Sequence, residues 1–287
     1  MRIEDIASGF PALIGRARGP VVAVVPLVGT VGMMGRVGSS FNLASVASRL
    51  GKAFSTANVK AVALSVNCPG GSPVQSALIA GRIRALADEK EVPVIAFAED
   101  VAASGGYMIA IAADEIFANE SSIIGSIGVV SAGFGFDKLI EKIGIERRLY
   151  TAGERKAILD PFRPEDKKDV ERLKVLQKTI HEHFKGLVRE RRGDKLQAGP
   201  RKLFSGEFWT GQQALDLGLI DGLGDLRSIM RARYGEKLRF KTLSAAKPWL
   251  RSKFGIGASL PGAGGAPWAD DLIASLDARA HWARFGL

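Results

Sequence analysis

Short apolar runs alternate with segments of helical spacing over the first half of the chain. The runs are rich in Val and Ile and are bounded by Pro and Gly, which is typical of buried strands. Strands are predicted at residues 20–29, 60–66 and 92–98, with shorter candidates at 127–130 and 146–150, and helices at 42–54, 73–88, 104–112 and 136–143. Strands separated by helices indicate a mainly parallel sheet covered on both faces. Residues 20–150 are therefore predicted to form one continuous α/β layer structure.

The second half begins with a long charged helix, predicted at residues 165–191. Its apolar positions recur at steps of three to four residues. They are Val170, Leu173, Leu176, Ile180, Phe184 and Leu187. The mixed charge of this helix predicts a solvent-facing or subunit-bridging element.

The composition changes near residue 244, which divides the chain into a predicted domain at 1–243 and a tail at 244–287. The tail has a Gly/Pro/Ala-rich linker at 255–267 and a predicted amphipathic helix at 269–285, and residues 247–254 interleave cations with aromatics. Such a tail could lie on an anionic membrane surface, or it could dock on its own body or on a neighbouring subunit. The sequence leaves both interpretations open.

Composition narrows the class of protein without identifying a partner. With 46% hydrophobic and 24% charged residues among 287, the chain is expected to be globular and able to bury a core. The net charge of +10 favours anionic partners, but the basic residues form no nucleic-acid recognition motif, so no specific nucleic-acid binding is predicted. A single cysteine excludes an intramolecular disulfide, and no Cys/His cluster has the spacing of a zinc site.

The sequence also carries a prediction about location. No apolar stretch reaches the roughly 18 to 20 residues of a membrane span, and residues 1–19 contain Glu4 and Asp5 and no long apolar segment. We therefore expect a cytoplasmic protein, with peripheral contact at an anionic inner-membrane surface as an open alternative.

Residues 67–72, Asn-Cys-Pro-Gly-Gly-Ser, connect a predicted strand to a predicted helix. Paired glycines let backbone N–H groups approach a ligand closely, and the start of a helix adds the positive end of its dipole. This turn is a candidate oxyanion site. The same composition also occurs in ordinary strand-to-helix turns.

Residues 102–107, Ala-Ala-Ser-Gly-Gly-Tyr, place a serine among small residues at the start of a helix. Small neighbours leave the Ser104 Oγ accessible, and the Gly105 N–H could face a developing oxyanion. The structural alternative is that Ser104 is an ordinary helix N-cap. The turn is not the Gly-x-Ser-x-Gly elbow, because Ala102 occupies the position of the first glycine.

A nucleophilic serine requires a base, and the histidines are poorly placed for that role. His181 and His183 lie on the charged helix and His281 lies in the tail, which disfavours a Ser-His-Asp triad. His181 and His183 are two residues apart and do not share a helix face, so a metal site there is weakly supported. Lysine remains as the type of base, but position alone does not select Lys156 among forty cations.

Five segments occur in an order that resembles a known family. They are Asn-Cys-Pro-Gly-Gly (67–71), Ala-Ser-Gly-Gly-Tyr (103–107), Gly-Ser-Ile-Gly-Val (125–129), Ala-Gly-Glu-Arg-Lys (152–156) and the stretch 204–221. Together they resemble the signal peptide peptidase A family of serine proteases, including its SohB-like branch, over roughly residues 20–240. The ordered set is specific, whereas each motif alone is weak.

The resemblance implies a Clp/crotonase-like α/β fold and a Ser/Lys dyad. Ser104 would be the nucleophile and Lys156 the general base, with Ser126 orienting the lysine amine and the N–H groups of Gly70 and Gly105 forming the oxyanion hole. Cys68 stands where the family more often has Ser, and it is the alternative nucleophile. The resemblance further implies hydrophobic extended peptides as substrates, no metal or nucleotide cofactor, and a homo-oligomeric ring whose active sites are completed between subunits.

A lysine acts as a base only when its amine is neutral, and burial is the usual means of achieving this. The sequence interpretation therefore predicts an apolar pocket around Lys156. Two other functions remain open at this point. A crotonase-type acyl-CoA enzyme would share the fold without needing Lys156, and a non-catalytic basic scaffold at a membrane surface would need neither the serine nor the lysine.

Overall fold

A computed structural model describes residues 19–32, 40–153, 155–244 and 279–287. In chain order the strands are β1 (Val21–Val28), β2 (Thr30–Val31), β3 (Ser40–Phe41), β4 (Val59–Cys68), β5 (Val94–Ala103), β6 (Glu115–Ala118), β7 (Ile123–Gly125), β8 (Phe208–Thr210), β9 (Gly222–Leu223) and β10 (Arg239–Thr242). The helices are α1 (Leu43–Phe54), α2 (Pro73–Lys90), α3 (Gly105–Ala110), α4 (Asp137–Lys142), α5 (Lys167–Arg192), α6 (Pro200–Leu203), α7 (Gly211–Asp216) and α8 (Leu226–Tyr234), with a 3₁₀ turn at Gly193–Lys195.

The described residues build one eight-stranded sheet and a separate pair, β2 with β3. The main sheet has the order β10-β1-β4-β5-β6-β9, and β7 and β8 extend it beside the end of β5. All its pairings are parallel except that of β7 with β8. The predicted α/β class with a mainly parallel sheet is confirmed, as are the three long strands and helices α1 and α2.

Alternating residues of the central strands face two separate cores. On one face of β4, Val62, Leu64 and Val66 join the large core that includes buried residues of α1 and α2. On the other face, Ala61 and Ala63 pack in a smaller core with Met230 of α8. Burial on both faces explains why these strands have continuous apolar runs rather than alternation.

Two predicted strands are wrong. Residues 127–130 and 146–150 form no strand, and the sheet strand in this region is β7, which ends before Ser126. From residue 129 the chain leaves the layered body, and we call residues 129–153 and 155–180 the arm. Its apolar side chains are largely exposed, so their hydrophobicity does not reflect burial in the sheet. The predicted continuous layer up to residue 150 therefore stops near Gly128, and later strands complete the sheet.

The long charged helix is present as α5, but only its second half lies against the body. Its buried residues are Phe184, Val188 and Arg192, which recur every four positions on one face. Upstream, Val175, Leu176 and Ile180 are exposed. The first half of α5 therefore belongs to the arm.

The described end of the tail, residues 279–287, docks on the body of the same chain. Phe285 is only 8% exposed and packs with Val101 and Ala103 of β5. Its ring meets that of Phe208 edge to face, with centroids 5.0 Å apart. The linker at 255–267, the cation-aromatic segment at 247–254 and most of the predicted helix lie outside the described residues. Within the described part of the chain, no helix has the length and apolar character needed to cross a bilayer.

Candidate active site

Three parallel strands end side by side at one edge of the sheet. Cys68 of β4 pairs with Ala102 of β5, and Ala103 pairs with Gly125 of β7. Neighbouring strands lie about 4.8 Å apart, so the residues that follow them are held close together. These residues are the Gly70-Gly71 turn, Ser104 and Ser126. The sheet register therefore brings together four of the five residues predicted for the site, because Gly105 follows Ser104 directly.

Ser104 has a strained backbone at the end of β5. Its φ of 51° and ψ of −120° lie in a region that non-glycine residues avoid, at a cost of about 1–3 kcal/mol. It occupies the N-cap position of α3, yet its side chain makes no capping hydrogen bond. Its N–H donates to the Gly125 carbonyl across 2.7 Å. The N-cap explanation therefore does not account for this serine, whose hydroxyl is left available for other chemistry.

The Gly70-Gly71 turn passes directly against Ser104. Gly70 has a φ of +118°, and a Cβ at this position would lie 2.7 Å from the Ser104 Cβ and 3.1 Å from the Gly105 nitrogen. Gly71, with a φ of +135°, is equally restricted, because its Cβ would lie 2.9 Å from the nitrogen of Val31. Both glycines are thus required by close approach as well as by backbone conformation. The turn brings its peptide groups to the serine and its following N–H, the arrangement an oxyanion hole needs.

Cys68 is fully buried beneath this turn, with its Sγ 3.8 Å from the Gly70 carbonyl oxygen. Burial raises the pKa of the Cys68 thiol to about 12. Thiolate, the nucleophilic form, is therefore disfavoured at neutral pH. The geometry supports a packing role for Cys68 and argues against the alternative in which it is the nucleophile.

Ser126 is buried and has a second strained backbone, with a φ of 52°. Its N–H donates to the Glu207 carbonyl across 2.7 Å, and its own carbonyl accepts from the Gly128 N–H at 2.9 Å. The preceding residue, Gly125, lies directly against the Trp209 ring, and a Cβ there would be only 2.8 Å from it. These contacts fix Ser126 next to Ser104.

Lys156 does not join the other predicted residues within one chain. It lies exposed on the arm, in the turn that follows Gly153. Among the described residues, no hydrogen bond or ion pair connects its ammonium group to Ser104 or Ser126. The predicted apolar pocket around Lys156 is thus wrong for the isolated chain, because the arm that carries the lysine lies outside the layered body.

The arm exposes an unusual amount of apolar surface. Phe134 is 80% exposed and Tyr150 is 90% exposed. The other large apolar residues exposed on it are Val130, Phe136, Leu139, Ile143, Ile145, Leu159, Phe162, Val175, Leu176 and Ile180. A contiguous chain segment with this many exposed apolar residues marks an interaction surface rather than an ordinary solvated loop.

Two contacts near the site were not anticipated from the sequence. Val31 of β2 bridges to Gly71, donating its N–H to the Gly70 carbonyl at 2.8 Å and accepting from the Ser72 N–H at 2.7 Å. The His181 ring lies 3.0 Å from the Ile127 carbonyl oxygen, next to Ser126. His181 lies three residues before the buried Phe184, and this helical spacing is the sequence signal that places both on the face of α5 that packs on the body. Where the chain is described, no cluster of His, Cys, Asp and Glu is suited to hold a metal ion.

Comparisons with known proteins identify the family of the chain. The model of peptidase family S49 matches residues 87–237, more than half of the chain. The chain is 51% identical over 284 residues to a Brucella abortus protein named Na(+)/H(+) antiporter NhaA, covering 96% of this chain but 38% of that longer protein. It is 37% identical over 171 residues to the chloroplastic serine protease SPPA of Arabidopsis thaliana, covering 58% of this chain and 24% of that protein.

A solved structure shows the same fold. It is a mutant of the 1510-N membrane-bound stomatin-specific protease in complex with a substrate peptide. The match has a TM-score of 0.51 at 14% identity and covers 82% of this chain and 98% of that one. This likeness confirms the Clp-like layered fold that the sequence predicted.

Proposed function

Because the chain belongs to peptidase family S49, we propose that it is a serine endopeptidase in which Ser104 and Lys156 form the catalytic dyad. The observation that carries the proposal is the strained, uncapped Ser104 in contact with the Gly70 turn and followed by Gly105. Strain of this kind persists where the surrounding structure enforces it, and such residues cluster at active sites. We assign the protease domain to residues 1–243.

The proposed reaction has two steps. In the first, the Ser104 Oγ attacks the scissile carbonyl while the neutral Lys156 amine takes the hydroxyl proton. The N–H groups of Gly70 and Gly105 stabilise the resulting oxyanion. The C–N bond then breaks, and the departing amine receives the proton from the lysine ammonium. In the second step, a water that gives its proton to Lys156 hydrolyses the acyl-enzyme and restores Ser104.

We propose that the site is completed by a second copy of the chain. Lys156 is exposed on the arm, and the arm carries exposed aromatic and aliphatic side chains that a neighbouring subunit would bury. Burial in that interface would remove water from the amine and favour its neutral form. Contacts of this type between equivalent subunits are head-to-tail and produce a ring when the rotation closes.

The proposed substrates are extended, apolar peptides such as remnant signal peptides or released membrane segments. One edge of the Gly70-Gly71 turn is already paired with Val31. The other side of the turn faces Ser104, where an extended peptide could add as a strand and present its carbonyl to the serine. Small and apolar side chains would then fit beside the glycines.

The test is cleavage of extended apolar peptides together with labelling by a fluorophosphonate probe. Ser104→Ala should abolish both, and Lys156→Ala should lower turnover by about a thousandfold or more. Lys138→Ala is the matched control, because Lys138 is another exposed lysine on the arm and should retain activity. Unchanged cleavage in Ser104→Ala or Lys156→Ala would refute the dyad. Absence of any Ser104 adduct in the assembled wild type would favour a non-catalytic scaffold, and Ser104-independent thioester turnover would favour a crotonase-type enzyme.

A further inference from the structure

Helix α5 meets the body at His181. The buried residues Phe184 and Val188 follow it at helical spacing on the same face, and His181 itself is partly buried. Ile180, the residue before it and the last residue of the arm, is exposed. His181 therefore lies where the exposed half of α5 meets the half that packs on the layered body.

The partner of His181 lies where the chain leaves the body. Its Nε2 is 3.0 Å from the carbonyl oxygen of Ile127. Because a carbonyl only accepts, the Nε2 must carry the proton and donate. Ile127 has a fully buried side chain, and the arm departs just after Gly128. This hydrogen bond therefore connects the segment just before the arm, at Ile127, to the residue just after it, His181.

The same bond acts on the segment that holds Ser126. The Ser126 N–H is bonded to Glu207, and the Gly128 N–H is bonded to the Ser126 carbonyl. Gly128 also packs closely on the next segment, since a Cβ there would lie 3.0 Å from the Gly206 Cα. The Ile127 carbonyl, between these two anchored residues, is held by the His181 side chain. Through His181, helix α5 thus forms a hydrogen bond with the segment whose backbone is strained at Ser126.

We propose that His181 is a positioning residue, which fixes Ser126 beside Ser104 and sets the direction in which the arm presents Lys156 to the adjacent subunit. The proposal rests on the proposed function for its effect on activity. His181 touches none of the reacting atoms and exchanges no proton with them. Its only task is to hold two parts of the site through one hydrogen bond.

The experiment compares three variants of the full chain in the peptide-cleavage assay. His181→Ala should lower kcat by about 10- to 100-fold, as expected for a misplaced catalytic group, with KM changed less than about twofold. His181→Gln retains an amide donor of similar reach and should recover most of the lost kcat. His183→Ala is the control, because His183 lies two residues further along the helix and is exposed. It should behave like the wild type, and all three variants should assemble as the wild type does.

A second measurement does not depend on activity. Amide hydrogen exchange at Gly128 should be faster in His181→Ala than in wild type, and unchanged in His183→Ala. Wild-type kcat in His181→Ala, failure of His181→Gln to recover activity, or an equal loss in His183→Ala would overturn the proposal. If the wild type shows no Ser104-dependent cleavage, the proposed function fails, and exchange at Gly128 alone decides whether His181 holds this segment.

Discussion

Gly70→Ala places a methyl group where the structure has no room for one. The new Cβ would lie 2.7 Å from the Ser104 Cβ and 3.1 Å from both the Ser104 Oγ and the Gly105 nitrogen. Carbon atoms in contact prefer about 3.5–4.0 Å, so the turn or the serine must move by roughly 1 Å. The φ of +118° adds strain of about 1–3 kcal/mol for alanine. A shift of this size displaces the Gly70 N–H from the proposed oxyanion position.

Loss of one oxyanion donor costs about 10²–10³ in kcat, and we expect a loss of this order for Gly70→Ala. The assay is peptide cleavage by the assembled protein, with urea unfolding to follow stability. Gly81→Ala is the matched control, because Gly81 lies within α2 with nothing within 4 Å of its Cβ position. That change should keep activity and stabilise the helix by up to about 1 kcal/mol. Wild-type kcat in Gly70→Ala would refute the placement of this turn against the reacting carbonyl.

Three further predictions concern stability and reactivity. Phe285→Ala should lower the free energy of unfolding by about 2 kcal/mol in a urea titration, because its ring is buried against β5; no change would contradict docking of the tail. Arg192→Met should cost about 1–3 kcal/mol in the same assay, because the Gly218 carbonyl loses its buried donor and the Asp221 carboxylate keeps only Lys195 and the Ile116 N–H. Native Cys68 should resist iodoacetamide at pH 8 and react once unfolded. Burial raises the pKa of Cys68 from 9.0 to about 12, so the thiol ionises at a lower pH in the unfolded chain than in the folded one. The free energy of unfolding should therefore fall as the pH rises above 9, and Cys68→Ala should remove this pH dependence.

The apolar pattern predicted the central layers well because β1, β4 and β5 are buried on both faces. Their composition reflects burial directly, so periodicity and flanking Gly and Pro located them within a few residues. Helix α1, predicted at 42–54, starts for an equally local reason, because the Asn42 side chain caps it by accepting from the Ser45 N–H. Local chemistry determined these elements.

The arm could not be predicted in this way. Residues 127–130 and 146–150 have the composition of strands, but after the buried Ile127 their apolar side chains lie on the arm, which the single chain leaves largely exposed. A sequence pattern records that a side chain is apolar, not whether its own chain covers it. The separation of Lys156 from Ser104 within one chain has the same cause. Likewise, the strain at Ser104 and Ser126 arises from tertiary contacts that no local propensity encodes.

The most direct test of the proposed shared site is to mix two inactive variants and measure the peptide-cleavage activity of the mixture. Ser104→Ala keeps the lysine and Lys156→Ala keeps the serine, so each alone should be inactive while assembling normally. If each active site takes its serine from one subunit and its lysine from the next, co-refolded equal mixtures should regain about a quarter of wild-type activity through random pairing. Mixtures that assemble together and stay inactive would contradict the claim that Lys156 of one copy serves Ser104 of another.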